Sequence, residues 1–246
     1  MSGHSHFSSI KYKKAITDAK RGKIFSKLAR QISVAVREKG SDPETNSGLR
    51  LVIEKAKSVN MPKDNVERAI KKGTGELAEE KLEEVIYEAY GPKGMAIIIE
   101  GITDNKNRAL GEVKQILNQA GGKLADSGSV KWMFERKGAI TIEIPKSEIR
   151  NPKFKESLEL KVIEAGADDI YWHNDMLDVY TKIGDLEKVK KNLEGQDIKI
   201  ESASLDWVAK DEIELEEKEK KAAEKLFELL DESETVQEIY SNLSSI

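Results

Sequence analysis

Lys23, Lys27, Arg30 and Arg37 recur at i, i+4, i+7 and i+14. At about 100° per residue this spacing sets four cations in one narrow stripe of a helix. Such a stripe can neutralise successive phosphates of a nucleic acid and release their counterions. Lys11, Lys13, Lys14, Lys20 and Arg21 extend it upstream, so that residues 1–37 carry nine basic side chains against a single acid, Asp18. The bland alternative is a solvated helix face, which accounts for many charged stripes. With no acids interleaved, however, self-repulsion burdens a small domain unless a polyanion relieves it. All nine are therefore read as nucleic-acid-binding residues, the four of the stripe on the solvent side of their helix, with DNA or ribosomal RNA as the partner. Phe7 and Tyr12 have the chemistry to stack on bases, although Phe7 suits a core equally well.

Catalytic chemistry finds little support. The chain has no cysteine, which removes disulfides, thiolate metal sites and a thiol nucleophile together. His4 and His6 form a pair without a third ligand, since His173 lies far along the chain, so no metal is assigned. Gly91-Pro92-Lys93-Gly94 has the letters of a backbone-clamping GXXG loop, but it joins two strands and reads as a hairpin turn. Gly73-Thr74-Gly75 lacks the strand before it and the Lys-Ser/Thr after it that a phosphate loop needs. No catalytic residue and no cofactor are implied. An enzyme or small-molecule sensor working in a cleft between domains would show a cluster of perturbed carboxylates there.

The stripe belongs to a helix over residues 23–38, whose inner face is Ile24, Phe25, Leu28, Ala29, Ile32, Ala35 and Val36. Gly40 and Asp42-Pro43 end it. A second helix, capped by Asn46 or Ser47, runs to about Asn60 with Leu49, Val52, Ala56 and Val59 inside. Pro62 then opens a third, stopped at Gly73. Because Pro62 disfavours helical geometry at Met61, this pair forms a kink. Met61, Pro62 and Lys63 thus become a possible ribosome-reaching loop, flanked by Lys57, unless Met61 folds back into the bundle.

Beyond Gly75 the periodicity changes. Strands are expected at Val85 to Tyr90 and Met95 to Thr103, a helix over Asn107 to Ala120, and a strand at Val130 to Phe134. There follow a strand (Ala139 to Ile144), a helix (Phe154 to Ala165), two strands (Asp169 to His173, Met176 to Thr181), a helix (Leu186 to Leu193) and a strand (Ile198 to Glu201). That βαββαβ order is ferredoxin-like. A last strand at Ser204 to Val208 precedes acidic helices with Ala222, Ala223, Leu226, Leu229 and Leu230 on one face. The fold class is multidomain, α and α+β: a basic helical bundle (1–75), an α+β domain (76–135 plus 204–246), and an inserted ferredoxin-like α+β domain (136–203).

Charge divides along the same line. Residues 1–75 hold 17 Lys and Arg against 7 Asp and Glu, and the remainder 24 against 38, so a net of −4 conceals a strongly basic head and an acidic body. The acidic domains are expected to face away from the nucleic acid and to engage protein partners. No apolar run approaches the roughly 18 residues of a membrane span, and no secretory signal is apparent, so a cytoplasmic protein without membrane contact is expected. Charged residues reach 35%, a level common in heat-adapted proteins that solvated helix faces also produce.

Long strings then match a family in order. Gly3-His4-Ser5 through Lys11, DAKRGKIFSKLAR (18–30), NMPKDNVERAIKKG (60–73), YEAYGPKGMAIIIE (87–100), TDNKNR (103–108) and GSVKWMF (128–134) resemble the YebC/PmpR family, as does the stretch from Val236 to Asn242. The resemblance spans nearly the whole chain. It implies a helical N-terminal domain, two α+β domains and a role in controlling gene expression. Bacterial members are described as DNA-binding transcriptional regulators. Others, including a mitochondrial translational activator of a cytochrome oxidase subunit, act in translation, and some relieve ribosomes stalled on proline runs. His6-Phe7 stands where the family commonly has Lys-Trp. No catalytic residues come with the resemblance.

Overall fold

The structure, a computed structural model, describes residues 18–77, 81–172 and 175–244. Helix α1 (Asp18–Lys39) lays Ile24, Leu28, Ile32 and Val36 against Leu49 and Ala56 of α2 (Ser47–Ser58) and Ala69 of α3 (Lys63–Gly73). Asn46 fixes the turn between α1 and α2. Its Oδ1 accepts the Leu49 amide at 3.0 Å, while its Nδ2 donates to the carbonyls of Ala35 and Gly40, both at 2.8 Å. The expected N-cap thus also ties two helices together.

The chain continues through β1 (Glu83–Tyr90), β2 (Ala96–Thr103), α4 (Lys106–Gln119) and the short β3 (Lys123–Leu124). Next come β4 (Phe134–Glu143), α5 (Pro152–Ala165), β5 (Asp169–Trp172), β6 (Met176–Thr181), α6 (Leu186–Glu194) and β7 (Ile200–Ala209). It closes with α7 (Glu217–Glu232) and β8 (Val236–Ser241).

Two four-stranded antiparallel sheets result, ordered β3-β1-β2-β8 and β5-β6-β4-β7. The second has the strand order of a ferredoxin-like unit, with Val162 of α5 and Val189 and Leu193 of α6 packed on Ile140, Leu177 and Val179. In the first sheet β2 is buried on both faces. Ile97 and Ile99 meet Val113 and Leu117 of α4 and Leu226 and Leu230 of α7, whereas Ala96 and Ile98 meet Phe134, Trp207 and Tyr240. That explains the unbroken apolar run at Met95 to Ile99, which an amphipathic strand would not need.

Four expected strands are in fact two. Val130 does not begin a strand: Lys131–Met133 form a 3-10 turn, and β4 then runs without a break from Phe134. Its partner β7 is likewise continuous, pairing from Phe134↔Ala209 to Ile142↔Ile200. Gly138, inside β4, marks a close approach. A Cβ there would lie 2.3 Å from Thr181 Oγ1 and 2.9 Å from Leu186 Cβ, so the position excludes a side chain without ending the strand. The β4–β7 ribbon therefore carries the chain through both expected boundaries, near 135 and 203. β8 was not anticipated as a strand; it pairs with β2 along the edge of the first sheet. Among the described residues no helix is long and apolar enough to cross a membrane.

Candidate nucleic-acid interface

The stripe on α1 does not face solvent as a unit. Lys27 is only 7% exposed, and its ammonium donates to the Asp231 carboxylate at 2.9 Å and to the Asp231 carbonyl at 2.7 Å. Arg30, half-buried, donates to the Glu234 carboxylate at 2.9 Å and to the Glu234 carbonyl at 3.0 Å. Arg37 is exposed, with its guanidinium on the Leu82 carbonyl at 2.9 Å. The expectation of a solvent-facing stripe is corrected for Lys27 and Arg30. α1 is covered on two sides, by the helical bundle and by the turn between α7 and β8, and ion pairing on the second side leaves no apolar period in the sequence.

The same holds for α2. Arg50 bonds the Glu187 carboxylate at 2.9 Å, Lys55 pairs with Glu238, and Glu54 receives Lys190 from α6. Acidic side chains of both α+β units thus meet the basic domain. Lys190 and Glu238 are largely covered by these contacts.

Arg21 and Lys23, one turn before Lys27, are exposed. Lys20 lies in α1, but its side chain is outside the described residues, as are Lys11, Lys13 and Lys14 together with Phe7 and Tyr12. On α3 the exposed Lys63, Arg68 and Lys71 share their face with Asp64 and Glu67, which makes that face a mixed, solvated one.

The kink at Met61 does not present its side chain. Met61 is 7% exposed and packs in the bundle core with Leu28, Ile32 and Ala69, its amide donating to the Ala56 carbonyl at 2.9 Å. Asn60, at φ +57°, turns the chain so that Met61 points inward. Pro62 and Lys63 are exposed, so of the expected loop only these two remain at the surface.

Where the three units meet, the first sheet's Glu100 binds partners from three strands. It accepts Arg136 at 2.7 Å and Trp207 Nε1 at 2.8 Å on one oxygen, and the Tyr240 hydroxyl at 3.3 Å on the other. A cavity of about 380 Å³ opens beside this node, with Lys55, Glu84, Asp206 and Glu238 in its wall. Burial pushes Asp206 up to about 6, Glu238 adds to the rise, and Ser204, Lys55 and Arg136 oppose it. Burial likewise raises Tyr240 well above its ordinary value, helped by Asp206, Glu100 and Glu238. Burial also raises Glu84, with Glu38 and Glu100 adding to it. A perturbed cluster therefore does occupy the cleft between domains. Beside it, Glu100 has its oxygens committed to side chains that hold sheets together. Among the described residues no group of three His, Asp or Glu is placed to hold a metal ion.

Two models of one protein family match end to end: the TACO1/YebC protein N-terminal domain over residues 5–76, and the TACO1/YebC second and third domain over residues 82–243. The chain belongs to the TACO1/YebC family. A relative from Halothermothrix orenii, called a probable transcriptional regulatory protein, is 46% identical over 98% of this chain and 94% of its own. Another of the same description, from Pelotomaculum thermopropionicum, is 46% identical over 98% of both chains. The crystal structure of a conserved hypothetical protein from Aquifex aeolicus superimposes with a TM-score of 0.87 at 43% identity, covering 98% of each chain. The helical bundle followed by two α+β units is thus a TACO1/YebC fold, and the chain is the relative of proteins described as regulators.

Sequence reasoning passed over two features of this TACO1/YebC chain. One is the Glu100–Arg136–Trp207–Tyr240 node, whose members lie on β2, β4, β7 and β8 and become neighbours only through sheet pairing. The other is the loop at Gly128 to Met133, which overlaps the strand expected at Val130 to Phe134. It is held by Glu88, whose carboxylate accepts the amides of Gly128, Val130 and Lys131 at 2.6, 2.6 and 2.7 Å. Burial alone would raise Glu88; the three amides and Lys131 hold it below its ordinary value.

Proposed function

We propose that this protein is a cytoplasmic regulator of gene expression that binds duplex DNA through the N-terminal end of its helical domain. The observation carrying this reading is the density of basic side chains at the start of α1. Lys27, Arg30, Arg50 and Lys55 meet Asp231, Glu234, Glu187 and Glu238, and ahead of them on α1 Arg21 and Lys23 are exposed. They continue a segment in which residues 11–23 hold six Lys and Arg and one acid. Charge of this density, with a single internal acid to offset it, suits a phosphate backbone. The α+β units neutralise the inner stripe and hold α1 as a fixed arm. The names of the relatives support a regulator of transcription, and a nucleic acid is the partner such a regulator needs.

The test is a titration of duplex DNA by the full chain over a range of salt. Arg21→Ala and Lys23→Ala should each weaken binding and lower the slope of log affinity against log salt by about 0.9. Affinity and slope unchanged in both variants, with native melting curves, would place the DNA elsewhere or nowhere.

A further inference from the structure

Trp132 is 65% exposed, the most exposed large apolar side chain among the described residues, yet it is firmly held. Its Nε1 donates to the Ser129 carbonyl at 2.9 Å, and the Tyr90 hydroxyl donates to the same oxygen at 3.2 Å. Lys210 Nζ donates to the Trp132 carbonyl at 2.8 Å. On either side the loop is anchored by the buried Val130 and Phe134, and Glu88 binds three of its amides. A rigid loop thus presents a six-membered and a five-membered ring to solvent, with the polar atom of the indole already satisfied. Nothing in the packing of the monomer requires this.

The surroundings are charged, not apolar. Lys131 stands 5.0 Å from the Trp207 ring centre and Lys123 5.6 Å from that of Tyr90; both are exposed, as is Lys210. Tyr90 also lines an open depression of about 400 Å³ together with Gly91, Gly94, Gly121, Gly122 and Lys123. Asp126, Glu135 and Asp211 are the exposed acids of these segments. No other exposed large apolar side chain comes from the loop, from residues 90–94 or from residues 207–212. A protein-binding patch would be expected to cluster apolar residues around its tryptophan. A lone flat aromatic with lysines at hand and no apolar neighbours is instead the composition of a base-stacking platform.

Resting on the nucleic-acid reading above, we infer that Trp132, with Lys123, Lys131 and Lys210, forms a second site that binds an unpaired nucleic-acid segment, one base stacked on the indole and the adjoining phosphates on the lysines. The bases of a duplex are already stacked and offer no face to Trp132. The site therefore discriminates unpaired from paired strands, a property that the basic arm of α1 does not supply.

The experiment measures binding of the full chain to a 12-nucleotide oligo-U, to oligo-dT of the same length, and to a duplex. Trp132→Ala should weaken binding of the unpaired strands by tenfold or more while leaving duplex affinity and melting temperature within error. Trp132→Tyr should restore most of the loss, because an aromatic face suffices. Loss on oligo-U alone would assign the site to RNA; loss on both, to either unpaired strand. Full retention of single-strand affinity by Trp132→Ala would overturn the inference and leave Trp132 as a protein contact. Wild-type protein that bound no nucleic acid at all would overturn the parent reading instead.

Discussion

Lys27 and Asp231 are joined twice, ammonium to carboxylate at 2.9 Å and ammonium to carbonyl at 2.7 Å, across 204 residues of chain. The carbonyl contact matters as much as the charge. It fixes the end of α7 against α1 even when the carboxylate is removed, so the two halves of the contact are separable by mutation.

Lys27→Ala and Asp231→Ala should each lower stability by about 1 to 3 kcal/mol, because each removes one partner from a contact in which the ammonium is buried and the carboxylate partly exposed. A double-mutant cycle read by denaturant unfolding should give a coupling of at least about 0.5 kcal/mol. Strict additivity would show that the pair contributes nothing.

Asp206→Asn should stabilise the protein in alkaline solution and be neutral in acid. With a folded value of about 6 against an ordinary 3.8, native Asp206 retains a proton that the unfolded chain releases. Its contribution to stability is best below the ordinary value, declines as pH rises towards 6, and above that amounts to a penalty of about 3 kcal/mol. Melting temperatures at pH 4 and pH 8 check this. The variant should exceed wild type at pH 8 only, and a variant less stable at both would refute it.

Met61→Ala should lower stability by about 2 to 5 kcal/mol, the range for truncating a buried methionine. Lys63→Ala, two residues on and exposed, should change it by less than about 0.5 kcal/mol. Equal, small effects from both would mean that Met61 does not occupy the bundle core.

Gly73→Ala should loosen α3 from α1. A Cβ at Gly73 would lie 2.6 Å from both the Ser33 carbonyl oxygen and Val36 Cβ, neither of which can retreat without moving a helix. The cost should be about 1 to 3 kcal/mol, together with weakening of the bond from Ser33 Oγ to the Ala69 carbonyl, now 2.8 Å. Hydrogen exchange at the amides of α3 would report it, and unchanged protection would contradict the close contact.

Much of the helical unit was legible because apolar spacing and caps are local signals. Leu28, Ile32, Leu49 and Asn46 all stand where periodicity and capping put them. Lys27 was not legible, since a helix buried on its second side by ion pairs shows the same polar letters as a solvated one. Met61 shows a similar limit: Pro62 restricts the backbone before it but says nothing about the direction of the side chain, which Asn60 decides. In the sheets, Gly138 carried the letter of a break where the structure needs a gap for Leu186. β8 escaped because Val236-Gln237-Glu238 alternates weakly after an acidic helix, and its partner β2 is remote in sequence. The platform at Trp132 depends on Glu88, forty residues away, to bend an apparent strand into a rigid loop.

The order in which the polypeptide is made gives the α1 contact a temporal side. α1 leaves the ribosome some 204 residues before the turn that neutralises Lys27 and Arg30. At about 5 to 20 residues per second the nascent chain spends roughly 10 to 40 s with this stripe uncovered. During that interval the growing polypeptide is a polycation beside ribosomal RNA, and only completion of the acidic C-terminal segment restricts it to the smaller basic surface of the finished molecule.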